Sequence, residues 1–184
     1  EDADQALIRA REQWRNPSAE VLDLLRFKDG RVFQRFVAPH LIGGQVVGRV
    51  GTYRDISESV RAAAALEQHR AFFEKAQEVA HVGSWVAELD GSGNLGWSAE
   101  THRIFGVPHA EFPGTSAAFF GFVHPDDLAA VRSATAESIA AAKPYDIDHR
   151  IVRAGGEVRW VHERADIVRD ANGAALRMIG TVQD

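Results

Sequence analysis

The feature that most constrains this chain is an imperfect internal repeat, residues 145–184 read against residues 27–55. The later copy runs YDIDHRIVRAGGEVRWVHERADIVRDANGAALRMIGTVQD and the earlier one FKDGRVFQRFVAPHLIGGQVVGRVGTYRD. Gly30 aligns with Gly156, Val32 with Val158, Gly51-Thr52 with Gly180-Thr181, and Asp55 with Asp184. The difference in length fits in the last turn, Gly43-Gly44 in one copy and residues 169–173 in the other. A repeat sets the architecture before any local reading does. Two sparse copies are too few for a solenoid, so the chain reads as two related domains in tandem.

Each copy reads as a three-strand meander. Asp29-Gly30 and Gly155-Gly156 are hairpin turns flanked by β-branched and aromatic residues. Residues 170–173 carry the same turn chemistry ahead of a last strand over 175–182. Long strands joined by tight turns belong to one antiparallel sheet.

Residues 77–184 resemble a nearly complete PAS sensory domain. The resemblance runs through Gln77, Ala80, Gly83-Ser84-Trp85, Trp97-Ser98, Arg103-Ile104-Phe105-Gly106 and Val123-His124-Pro125-Asp126-Asp127. It closes with Arg150-Ile151-Val152-Arg153, with GEVRWV from Gly156 and with IGTVQD from Ile179. No single motif is specific, but their order and spacing together are. Residues 1–56 resemble the back half of a second such domain, ending in Asp55-Ile56-Ser57, which is similar to the family's terminal Asp-Ile-Thr. The expected fold is α+β: a five-stranded antiparallel sheet with short helices on one face. Before it stand a partial unit of one helix and three strands, and a linker helix. The expected domains are 1–56, a linker over 57–81, and 82–184.

A net charge of −5 and the absence of a basic run give no reason to expect nucleic acid or an anionic membrane. No apolar run is long enough to span a bilayer and no signal peptide opens the chain, so a cytoplasmic protein without membrane contact is expected. There is no cysteine, which removes disulfides, thiolate metal sites and cysteine nucleophiles.

In chain order, Ala6, Leu7, Ala10 and Trp14 share a helical face that Asn16-Pro17 ends. Strands follow at about 21–28, 31–39 and 45–56. Three strands and one helix cannot bury a full sheet face. Residues 57–80 are a strong helix, capped by Ser57 with Glu58 in its first turn. Ala62, Leu66, His69, Phe73, Ala76 and Ala80 recur at four-three spacing, as a dimerising seam does; packing on the helix's own sheet is the alternative. Gly83 is expected to stop this helix. Ser98 caps a short helix to Phe105, another covers 117–122, and Asp126 or Asp127 caps a longer one to about Ala142.

No phosphate loop, HExxH or nucleophile–base arrangement occurs, so no enzyme and no metal are expected. His162 and Glu163 are strand neighbours pointing to opposite faces, which argues against a joint role. The resemblance implies a pocket between the inner sheet face and the short helices. Inward on the sheet would be Trp85, Ala87, Leu89, Ile147, His149, Ile151, Val161, Met178, Gly180 and Val182, with Ile104, Phe105 and Phe120 closing it. These residues are either ordinary core or the wall of a small-molecule site, and a buried His149 needs a partner. An unidentified small molecule, haem or flavin are the occupants to weigh. Cysteine-adduct flavin chemistry is excluded, because the family's light-sensing branch uses a cysteine that this chain lacks. The outer face would carry Trp160, His162 and Arg164, under the linker helix of the same chain or of a partner; Asp148, Arg150 and Arg159 would pair across strands there. The resemblance implies a signalling segment of a bacterial regulator. It would work as a homodimer, with a histidine kinase or diguanylate cyclase effector elsewhere in the chain. A ligand-free interaction module is the alternative.

Overall fold

The structure is a computed structural model, and residues 18–141 and 143–184 are described. The chain divides into two compact units, Glu1–His69 and Arg70–Asp184. The helix expected around Ala6, Leu7, Ala10 and Trp14 lies outside the described residues, as does Ala142.

The first unit is the meander that the turns predict. Strands β1 (Val21–Arg26), β2 (Val32–Ile42) and β3 (Gln45–Asp55) pair antiparallel in that order. Gly43 and Gly44, at φ +59° and +80°, form the two-residue loop between β2 and β3, a geometry that side chains resist. Arg35 donates to Asp23 directly across the ladder at 2.8 Å. One face carries Leu22, Leu24, Phe36 and Val50, all exposed, as three strands alone leave it.

Helix α1 (Ser57–Ala80) follows without a loop. Its start differs from the expected serine cap. The Ser57 hydroxyl is buried and accepts the Val32 N–H at 2.8 Å, so the Asp55 carboxylate takes the Ser57 N–H instead, at 2.9 Å. A tertiary bond has claimed the capping side chain. The end also differs: His81, not Gly83, adopts the left-handed conformation, at φ +53°. Gly83 serves close packing, since a Cβ there would lie 2.8 Å from the Thr101 backbone.

The second unit comprises β4 (Val82–Glu88), β5 (Leu95–Trp97), α2 (Ala99–Phe105), α3 (Ser116–Phe120), α4 (Leu128–Ala141), β6 (Tyr145–Val152), β7 (Val158–Arg169) and β8 (Ala175–Gln183). The five strands form one antiparallel sheet in the order β5-β4-β8-β7-β6. The three helices fall between β5 and β6 in sequence, and Ile104 and Phe105 of α2 join the core formed by the inner sheet face. Ser98 caps α2 by accepting the Thr101 N–H, and Gly106 ends it at φ +69°, both as the residue types predict.

The start of α4 is a correction. Asp127 does not cap the helix with its side chain; its carboxylate accepts from the Arg150 backbone N–H at 2.9 Å and from the guanidinium at 2.9 and 2.7 Å. A bidentate charge-assisted pair outcompetes a helix amide. These bonds and the Arg150 charge hold the Asp127 carboxyl well below the usual carboxylate range. Arg150 is thereby removed from the cross-strand set expected on the outer face. Asp148 meets His162 at 2.6 Å, and Arg159 pairs with Glu157 and Asp184.

Candidate functional site

Strand alternation turns every second residue of β4, β6, β7 and β8 toward the helices. Between that face and α3 and α4 lies a cavity of about 210 Å³. Trp85, Ala87, Leu89, Phe120 and Met178 line it. Phe105, His149, Ile151, Val161 and Val182 do not. They are fully or almost fully buried in the surrounding core, where Phe105 packs on Trp97 with ring centroids 4.5 Å apart. The rest of the wall is Leu95 and Trp97 from β5, Ser116 and Phe119 from α3, Thr135 and Ile139 from α4, and Tyr145 and Glu163 from the sheet. Gly180 makes room for it. It stands opposite Trp85 in the ladder, and a Cβ there would lie 2.6 Å from the indole Cε2.

The polar part of the site is a buried group that residue-by-residue reading passed over. Glu163 pairs with Ile147 across the ladder, which sets it diagonally between Tyr145 and His149 on the same face. The Tyr145 hydroxyl donates to Glu163 Oε2 at 3.1 Å. His149 Nε2 lies 3.5 Å from the same oxygen but makes no hydrogen bond, and Trp85 Nε1 is likewise buried without a partner. Burial, then the neighbouring carboxylate, push the Tyr145 hydroxyl well above its usual range. Burial opposes protonation of His149, but Glu163, with help from Asp127, outweighs it and raises the imidazole above its ordinary value. The signal was present in the sequence: if Val161 points inward, so does Glu163. Comparing Glu163 with its neighbour His162 concealed that its partners sit on the adjacent strand.

Residues 94–182 match the family described as PAS fold. This segment is a PAS domain. Similar PAS-fold structures include a sensory box histidine kinase/response regulator from Burkholderia thailandensis E264. It is 27% identical, with a TM-score of 0.53 over 61% of this chain and 82% of that one. The N-terminal domain of a diguanylate cyclase with PAS/PAC sensor from Marinobacter aquaeolei shares the fold. Its TM-score is 0.52 at 17% identity, over 56% of this chain and 94% of that one. A blue-light-activated histidine kinase from Brucella anthropi is 32% identical over 102 residues, 55% of this chain. The protein y4lL from Sinorhizobium fredii is 34% identical over 134 residues, 71% of this chain. The matched segments span 20% and 15% of the lengths of these two relatives.

On the outer face of the PAS sheet, Trp160 is 62% exposed and is touched by the Arg150 guanidinium, 5.6 Å from its ring. His162 and Arg164 beside it pair with Asp148 and Asp146. Along α1, Ala62, Leu66, His69, Phe73, Ala76 and Ala80 are all exposed, Leu66 by 72% and Phe73 by 59%. Phe72 and Val79 widen the apolar strip. Gln77, by contrast, is buried and donates to the Ser84 hydroxyl at 2.8 Å, tying the helix to β4. Among the described residues, no group of three or more His, Asp or Glu could hold a metal, and no helix is long and apolar enough to cross a membrane.

Proposed function

We propose that this segment is a sensory module that binds a small molecule in its second unit and relays occupancy through helix α1. The observation that carries the reading is the cavity beside Glu163, since a well-packed domain of this size keeps few voids larger than a water. Its chemistry is binding rather than catalysis: a carboxylate and a phenol lie against aromatic walls, and among the described lining residues no nucleophile is paired to a base. An apolar cavity of about 150 Å³ accepts a single benzene ring, so about 210 Å³ favours a ligand of that order over haem or flavin. Cysteine-adduct photochemistry has no residue to use here, whatever the blue-light-activated relatives do. Relay needs two states that the ligand tells apart. Ladder pairing of β4 with β8, and the bond from Gln77 to Ser84, give the pocket wall a connection to α1. The kinase and cyclase relatives support an effector of that type elsewhere in the full-length protein.

Native mass spectrometry of the purified chain, followed by the same sample denatured, tests this. A mass excess that denaturation removes is the expected result; its absence in protein from several hosts and growth conditions refutes a retained ligand. A second reading, a dimerisation module without ligand, is favoured by the exposed strip from Leu66 to Val79. Its mark is a dimer mass without excess.

A further inference from the structure

We propose that the cavity takes a small organic cation, an ammonium group carried on one apolar ring. The inference rests on the reading of the cavity as a ligand site and adds the class of ligand. Charge comes first. Among the described residues Glu163 is the single acid in the lining, and no lysine, arginine or histidine accompanies it. Arg132 of α4 stacks on Phe120, 4.4 Å from the ring, and is not part of the wall.

The carboxylate is also short of partners. A buried charge is costly unless it is paired and hydrogen-bonded. Glu163 is 1% exposed and receives one hydrogen bond, from Tyr145. Among the described residues, the His149 imidazole comes to 3.5 Å from it without a hydrogen bond. An ammonium donor placed in the cavity would supply what is missing.

The remaining surface suits the rest of such a ligand. Trp85, Trp97, Phe119, Phe120 and Tyr145 bring five rings to one small space, and ring faces attract cations, most strongly away from water. The volume leaves room for about one ring beside the charged group.

The groups facing Glu163 also set a pH signature. Strand β6 brings Tyr145 and His149, with Asp127 acting on His149 from the turn before α4. The linings from α3, α4, β4, β5 and β8 add Ser116 and Thr135 but no charge. Protonated His149 competes with the ligand for Glu163. Affinity for the cation therefore falls as pH falls, while affinity for a neutral ring does not.

Isothermal titration of the intact chain with phenethylammonium, 2-phenylethanol and phenylacetate decides the matter. The expected result is phenethylammonium about tenfold or more tighter than the alcohol, phenylacetate not bound, and the preference shrinking on acidification. Glu163→Gln should bring the ammonium and alcohol affinities together, by weakening the ammonium far more than the alcohol. If that variant does not fold, the ratio and its pH profile on the unaltered chain still decide. An alcohol bound as tightly as the ammonium, or a preference for phenylacetate, overturns the cation and leaves the pocket standing. Failure of all three probes to bind overturns both.

Discussion

Gly180 offers a direct test of how the cavity wall is built. Gly180→Ala places a methyl 2.6 Å from Trp85 Cε2 and 2.7 Å from the Arg164 carbonyl oxygen. Carbon contacts settle near 3.5–4.0 Å, so the indole must retreat by about 1 Å. The carbonyl cannot do so, because it belongs to the backbone of β7, which is laddered to β6 and β8. Overpacking of this kind costs about 1–3 kcal/mol. At about 4–8 °C per kcal/mol for a domain of about 100 residues, the melting temperature should fall by roughly 5–20 °C. Gly96→Ala is the control: its methyl meets only the Val86 carbonyl, at 3.9 Å. Thermal unfolding followed by far-ultraviolet circular dichroism gives both shifts, and tryptophan emission reports the indole. If Gly180→Ala melts with Gly96→Ala, the wall is softer than the packing implies and the argument from it fails.

Asp127→Asn should lower the melting temperature at neutral pH. Because the Asp127 carboxyl is depressed in the folded chain, its contribution is present above the unfolded carboxylate pKa and is lost as pH falls through the folded one. The two melting curves should therefore converge in acid, and a gap that stays constant across that range would refute the pairing account. Leu66→Glu and Phe73→Glu place a charge on the exposed strip of α1. Sedimentation should then report monomer where the unaltered chain gives dimer; unchanged mass removes the seam.

Much of this fold is legible in the sequence, because strands and tight turns obey short-range rules. The shared inner face of Trp85 and Ala87, and of His149 and Ile151, follows from the pleat alone. The turn at Gly43-Gly44 needs only the positive φ that glycine permits. Less legible were side chains with two possible employers. Ser57 has the chemistry of a helix cap and spends it on β2; Asp127 has the same chemistry and spends it on Arg150. Which bond wins depends on partners 25 and 23 residues away. The wall contributed by α4 was hidden for a different reason. Its run LAAVRSATAESIAA is rich in alanine on every side, so no stripe marks Thr135 and Ile139 as inward. Glu163 was available from alternation but not from residue type, since a carboxylate facing a core goes against expectation.

The junction between α1 and β4 has a mechanical consequence. The helix ends at Ala80 and the strand begins at Val82, leaving His81 as the whole joint. Among the described residues it is the one non-glycine with positive φ. Such a conformation costs about 1–2 kcal/mol, and it persists where the surroundings hold it. A joint one residue long has no slack. Twist applied to the helix about its own axis reaches Val82 as torque, and the first rung of the ladder, between Val82 and Gln183, must bear it. A loop of several glycines would dissipate that torque in its own torsions. This one transmits it.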